Sequence, residues 1–171
     1  QDVQKDKVAY DAYVAQGKVD PNVLKGAMIA GQETGAGFRY LIALGKIESN
    51  HGQAKANGAS SASALQGNIY QVTNGTMGYL NDKYGADAKR DLAKYGIAFD
   101  AKSDWRTDPT ISAYMAGKYS MEAGSKDWGK RYAFYFSGSN KLANMADHPQ
   151  TQDVALAQTK SYAAAARANP T

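Results

Sequence analysis

One carboxyl group, that of Glu48, stands where the sequence could keep it protonated near neutral pH. The eleven residues that end at Glu48 read FRYLIALGKIE, and Phe38, Leu41, Leu44 and Ile47 recur there at intervals of three and four. This spacing predicts a helix with one apolar face and with Glu48 at its end. An apolar pocket disfavours the charged form of a carboxyl group. A neutral carboxylic acid can protonate a poorly basic oxygen, as cleavage of a glycosidic bond requires.

The segment after Glu48 offers no second carboxyl group. From Ser49 to Asn81 there is no Asp or Glu, and the only Lys or Arg is Lys55. Ordinary retaining and inverting glycosidases use two carboxyl groups. A site with one must let the substrate assist through its own hydroxyl or N-acetyl group, or must recruit a distant acid. The candidates for that acid are Glu33, in the turn-like stretch GQETG, and Asp82.

Three motifs occur in an order that carries a resemblance. Ile47-Glu48-Ser49 is followed by SASALQGNIYQVTNGT at 61–76 and by FYFSG at 134–138. This order resembles that of the lytic transglycosylase and goose-type lysozyme family. Its members read Glu-Ser at a helix end, then Ser-x-x-Gly-Ala-x-Gly-Leu-Met-Gln-x-x-Pro-x-Thr, and later Ala-Tyr-Asn-x-Gly. The resemblance covers about 38–140, and Phe136 departs from it by replacing the Asn of the last motif.

The second motif departs from the family pattern at three points. Ala64 and Leu65 replace its Gly-Ala pair, and Asn74 stands where the loop usually has Pro. One residue is also inserted between Gly67 and Gln71. The departures concern the loop that would contact sugar.

The resemblance implies a peptidoglycan lytic transglycosylase that acts on glycan strands without a cofactor or a metal. Glu48 would act as acid and then as base on the β-1,4 bond between N-acetylmuramic acid and N-acetylglucosamine, leaving a 1,6-anhydro product. Ser61 and Gln71 would lie at the floor of the cleft, and Tyr135 would reach toward Glu48 and could orient its carboxyl group. Tyr70 would line the cleft, with core packing as the alternative. The other hypotheses are a hydrolytic muramidase and a non-catalytic wall-binding or structural module of the same fold.

Helical signals dominate the rest of the sequence and predict one all-α or α-dominated, lysozyme-like domain over 1–171. Residues 1–30 would form a helical extension and 38–140 the catalytic core. Segment 49–69 is rich in Ser, Gly, Asn and Ala and predicts an irregular loop, with a short β-hairpin as the alternative. Cap residues, Pro and Gly predict the helices. They are expected at 3–15, from Asp20-Pro21, at 38–48, 77–85, 88–96, 110–124 and 128–138, and at 154–168.

Composition narrows the remaining classes of function. The chain has 171 residues, a formal charge of +4, no Cys and two His residues, His51 and His148. A thiol nucleophile and a Cys-ligated metal are therefore excluded, and a His-based metal site is not expected. Basic and acidic residues are interleaved, which disfavours a nucleic-acid partner.

Localisation and partners are less constrained by the residues. No apolar run is long enough to span a bilayer and no signal region opens the chain, whose start at Gln1 suits a processed secreted protein or an excised domain equally. The resemblance implies a periplasmic or secreted protein of bacterial or phage origin. A protein inhibitor or a larger machine as partner stays open.

Overall fold

The computed structural model describes residues 2–53 and 65–137, and within these ranges the chain is helical and has no strand. The predicted α-dominated class is thereby confirmed. Ser61, the possible hairpin around it, the predicted helix at 154–168 and the side chain of Phe136 lie outside the described residues. The helices are α1 (Asp2–Gln16), α2 (Pro21–Thr34), α3 (Phe38–Ser49), α4 (Asn74–Ala93), α5 (Pro109–Met121) and α6 (Trp128–Ser137), with a 3₁₀ turn at Trp105–Thr107.

Two Asp-Pro pairs begin helices where the sequence predicts them. Asp20 accepts a hydrogen bond from the backbone N–H of Asn22, and the proline that follows occupies the first turn of α2. Asp108 does the same for α5, where its carboxylate accepts from the N–H groups of Thr110 and Ile111. Each carboxylate satisfies donors that have no partner inside the helix, and proline fixes the helical φ.

The prediction of separate helices at 77–85 and 88–96 was wrong, because the structure joins them in α4. Gly85 lies inside the helix, and Asp87 pairs with Arg90 at 3.2 Å instead of opening a new helix. A glycine in a helix interior costs about 1 kcal/mol relative to alanine. Burial of apolar side chains from this helix outweighs that cost; they are Leu80, Ala88 and Leu92.

Helices α2 and α5 pack with almost no space between their backbones. A Cβ atom at Gly26 would lie 2.5 Å from the carbonyl oxygen of Pro109, and one at Gly117 would lie 2.6 Å from Oγ1 of Thr34. Both distances are shorter than any side chain could accept. Helix α2, which the sequence assigns to an N-terminal extension, therefore packs directly against α5, whose residues are buried along most of its length.

Helix α1 is attached to the start of α3 by a buried ion pair. Oδ1 of Asp6 accepts from Nε of Arg39 at 2.6 Å and from its backbone N–H at 3.3 Å. Since Gly37 at the N-cap has no side chain, Asp6 supplies the cap from another helix. The rings of Tyr10 and Tyr13 meet Phe38 edge to face, with centroids 5.4 and 6.0 Å away. No helix of the described part is both long and apolar enough to cross a membrane.

Candidate active site

Glu48 lies in the last turn of α3, partly buried, where the backbone leaves the helix. Asn50 has φ 50° and closes the helix in the left-handed conformation, and Gly52 follows with φ 85°. The N–H of His51 returns to the carbonyl oxygen of Gly45 at 3.0 Å. The sequence predicted that the helix ends here. The carboxyl group is thus held on a regular helix whose end is fixed by hydrogen bonds.

Ser49 joins the end of α3 to the far side of the following loop. Its hydroxyl donates to the carbonyl oxygen of Ile69 at 2.6 Å and accepts from the backbone N–H of Gly52 at 2.7 Å. The side chain is buried, so these bonds are not in competition with water. The serine of the Glu-Ser motif thereby fixes the position of 69–71 relative to Glu48.

A tight turn at 68–72 presents Gln71 next to this junction. The buried side chain of Asn68 donates to the carbonyl oxygen of Val72 at 2.9 Å and accepts from its N–H at 3.1 Å. Gln71 has φ 55°, a conformation that costs free energy for a residue with a side chain. The side-chain amide nitrogen of Gln71, Nε2, donates to the carbonyl oxygen of Asn68 at 2.8 Å. Its buried Oε1 has no hydrogen-bond partner among the described residues.

Tyr70 is fully buried and packs against the inner face of α3. A Cβ atom at Gly45 would lie 3.4 Å from Cε1 of its ring, so glycine at that position makes room for the ring. The hydroxyl of Tyr70 has no hydrogen-bond partner among the described residues. Core packing, the alternative prediction for Tyr70, therefore describes its ring. Its hydroxyl is a buried polar group beside α3 that has no described hydrogen-bond partner.

Helix α6 brings Tyr132 and Tyr135 to this region, and their hydroxyl groups have different hydrogen-bond partners. A side-chain hydrogen bond between Tyr132 and Glu48 lowers the pKa of the Glu48 carboxyl group, against the larger effect of burial. The hydroxyl of Tyr135 donates instead to the carbonyl oxygen of Tyr70 at 2.6 Å. The resemblance implied that Tyr135 reaches toward Glu48 and could orient its carboxyl group; the side-chain hydrogen bond with Glu48 comes from Tyr132, three residues earlier on the same helix face. Tyr135 lies close enough for the charge of Glu48 to contribute to the rise of its own pKa.

Burial raises the pKa of Glu48 to about 7, and the hydrogen bond from Tyr132 opposes that rise. The direction is the one expected from the apolar helix face. Burial also raises the pKa of Tyr40, whose hydroxyl donates to Oγ of Ser120 at 2.8 Å, and the charge of Glu48 adds to that rise. Near pH 7 Glu48 therefore exists in both its neutral and its charged form, which suits a group that gives and then takes a proton.

The two candidates for a second acid lie elsewhere. Glu33 belongs to the last turn of α2 rather than to a solvated turn, and its carboxylate accepts from Nζ of Lys94 at 2.7 Å and from the hydroxyl of Tyr95 at 2.8 Å. These bonds lower the pKa of Glu33. Asp82 is exposed on α4. Activation of water by Glu33 would first require this pair of contacts to break.

The described ranges contain no cluster of side chains arranged to bind a metal ion. Within 2–53 and 65–137, no group of three or more His, Asp or Glu side chains could hold an ion. Burial lowers the pKa of His51 to about 4, and the nearby charge of Lys46 adds to this effect. His51 is therefore neutral at pH 7.

Ser61, the remaining predicted contact, lies outside the described residues. The sequence does not predict a role for Tyr132, and Ser49 and Asn68 occur in it only as members of the motifs. Helical spacing from Tyr135 was the one available signal for Tyr132. No protein-family model matches the chain, and no curated protein or solved structure matches it.

Proposed function

We propose that the chain is a peptidoglycan lytic transglycosylase with a lysozyme-like fold, acting in the periplasm or outside the cell, with Glu48 as its acid and base. One observation carries the proposal: Glu48 is a partly buried carboxyl group with a pKa of about 7. A free glutamate, with a pKa of roughly 4.3, is almost fully charged at neutral pH and a poor proton donor. The order of the three sequence motifs supports the same assignment.

The proposed reaction uses Glu48 twice. Its neutral carboxyl group protonates the oxygen between N-acetylmuramic acid and N-acetylglucosamine, and the bond from the muramoyl C1 to that oxygen breaks. The resulting carboxylate removes the proton from the muramoyl 6-hydroxyl, whose oxygen then bonds to C1 and closes the 1,6-anhydro ring. The proton count balances and no water is consumed. The hydrogen bond from Tyr132 holds the carboxylate in place between the two steps.

We prefer ring closure to hydrolysis because the described surroundings of Glu48 offer no second carboxylate to activate water. The segment 54–64 contains no Asp or Glu. Glu33 is held by Lys94 and Tyr95. Of the described residues, no carboxylate contributes to the pKa shift of Glu48. These observations favour a one-carboxylate reaction, in which the substrate supplies its own nucleophile.

The decisive experiment is mass spectrometry of the muropeptides released from purified peptidoglycan by the wild type and by Glu33→Gln. We expect anhydro products from both, at similar rates. Products heavier by one water, together with near-complete loss of activity in Glu33→Gln, would instead establish a two-carboxylate muramidase. A folded wild-type chain that binds the wall in a pull-down but releases nothing would establish a non-catalytic module.

A further inference from the structure

A groove of about 890 Å³ lies at the opposite end of α3 from Glu48. It is bordered by α1, by α2, by the start of α3 and by the start of α6. Its floor is apolar and includes Met28, Phe38 and Trp128. The volume lies within the range that ligand-binding clefts usually have, about 300–1,000 Å³.

The groove carries the net positive charge of the chain. The described residues that line it include six basic residues: Lys5, Lys7, Lys25, Arg39, Lys126 and Arg131. They also include two acidic residues, Asp6 and Asp11. The excess of four positive charges equals the formal charge of the whole chain, so the remaining residues are formally neutral as a set. Such a concentration of one sign raises the local concentration of anions.

Three of these cations are available to a ligand. Lys5, Lys25 and Lys126 are exposed, and none of their side chains forms an ion pair or a hydrogen bond with another described residue. The two arginines are used by the fold. Arg39 is bonded to Asp6, and Arg131 donates to the carbonyl oxygens of Ser125 at 2.7 Å and of Ala36 at 3.1 Å.

The mixture of charges and rings favours a peptide over a polyphosphate. Asp11 is exposed at the rim, where its only described cation is Lys7 at 3.5 Å, and it would repel a strand of uniformly negative phosphates. A peptide with several carboxylates and one amine complements both signs. The apolar floor can receive its aliphatic parts.

We propose that this groove binds the acidic peptide branches of peptidoglycan, an inference that rests on the proposed function. The distance between the groove and Glu48 allows one substrate molecule to occupy both. Arg39 and Glu48 are nine residues apart on α3, roughly 13 Å along the axis. Four extended residues span about the same length. A peptide branch on a sugar close to Glu48 can therefore reach the lysines while the glycan stays at the acid.

The experiment is isothermal titration calorimetry of the full chain with the N-acetylated branch peptide N-acetyl-L-Ala-γ-D-Glu-meso-diaminopimelate-D-Ala. Its only amine is that of diaminopimelate, and it contains no glycosidic bond for the enzyme to cleave. We expect binding by the wild type and about tenfold weaker binding by Lys25→Gln/Lys126→Gln. The matched control is Lys89→Gln/Lys102→Gln, which removes two exposed lysines outside the groove and should leave binding unchanged. The wild type should bind the same peptide with amidated carboxylates no more tightly than Lys25→Gln/Lys126→Gln binds the unmodified peptide.

Absence of binding by the wild type, or equal loss in the groove and control variants, overturns the inference. Tighter binding of a single-stranded oligonucleotide than of the peptide overturns it as well. Failure here is distinct from failure of the proposed function. Wall lysis without peptide binding removes the groove inference alone, whereas peptide binding by a chain that cannot cleave the wall removes the enzyme and leaves the groove's ligand class standing.

Discussion

Two glutamates near the ends of successive helices have opposite chemistry. Glu48 in α3 accepts a hydrogen bond from Tyr132, and Glu33 in α2 accepts one from Tyr95. Glu33 also has the ammonium group of Lys94 at 2.7 Å, and its pKa is lowered. No described cation contributes to the pKa shift of Glu48, and burial raises its pKa to about 7. The same side chain is charged at neutral pH in one place and partly neutral in the other, because burial raises the pKa of Glu48 and, among the described residues, only Glu33 has a cation to offset its charge.

The largest expected effect is on catalysis. Glu48→Gln keeps the size and shape of the side chain but cannot donate and then accept a proton, so we expect wall-lytic activity to fall by about three orders of magnitude. Glu33→Gln is the matched control, since it makes the same chemical change in the other glutamate, and activity should stay within about threefold. Turbidity loss of purified walls measures both, with circular dichroism to confirm folding. Substantial lysis by a folded Glu48→Gln would remove Glu48 from the reaction.

The same substitution, Glu48→Gln, should raise the free energy of unfolding at alkaline pH, although it lowers activity. Since the folded pKa of Glu48 lies above its unfolded value of roughly 4.3, the wild type loses stability as pH rises from that value through about 7. Glu48→Gln has no charge to bury, so at pH 8 it should be more stable than the wild type by roughly 3–4 kcal/mol. The difference should vanish near pH 4. Urea denaturation at the two pH values tests this, and a less stable variant at pH 8 would contradict the apolar environment described for Glu48.

Tyr132→Phe should produce a smaller change with a distinctive pH signature. The hydrogen bond from Tyr132 favours the charged form of Glu48, so its removal should raise the pKa of Glu48 further. The alkaline fall of kcat/KM should then move to higher pH, while loss of orientation should reduce the maximum rate by about tenfold. Tyr95→Phe removes the corresponding hydroxyl at Glu33 and should change neither quantity. An unshifted pH profile would show that Tyr132 serves packing alone.

The smallest effect is expected from Lys94→Gln. The pKa of Glu33 should rise toward its ordinary value, because its strongest hydrogen-bond donor is lost. The pKa of Glu48 and the rate of wall lysis should not change. Titration of the two carboxyl groups by NMR distinguishes the sites, and a coupled shift of Glu48 would show that the two glutamates are not electrically separate.

Features that depend on neighbours in the sequence were predictable. The starts of α2 and α5 follow from an Asp that caps and a Pro that fixes φ, and the end of α3 follows from SNHG. The apolar face before Glu48 gave the correct direction of its pKa. The break predicted within α4 failed for the opposite reason: Gly85 has a weak local preference, and burial of distant side chains decided the outcome.

Features that depend on distant contacts were not predictable. Tyr132 is 84 residues from Glu48, and Lys94 is 61 residues from Glu33. No local pattern specifies which tyrosine of α6 meets a carboxyl group, because both Tyr132 and Tyr135 lie on its inner face. The hydrogen bond from Ser49 to the carbonyl oxygen of Ile69 likewise exists only after the loop closes. Tertiary packing, rather than motif order, decides these details.

The close contact between α2 and α5 has an evolutionary consequence. At Gly26 a single methyl group would strike the backbone of Pro109, so this position cannot drift to alanine without separating the two helices, and at Gly117 it would displace the side chain of Thr34. Among descendants of a common ancestor, we expect these glycines to be as invariant as Glu48. Their invariance would record a limit on backbone separation, and a comparison of homologous sequences that ranks positions by constancy alone would mistake this spacer for part of the catalytic machinery.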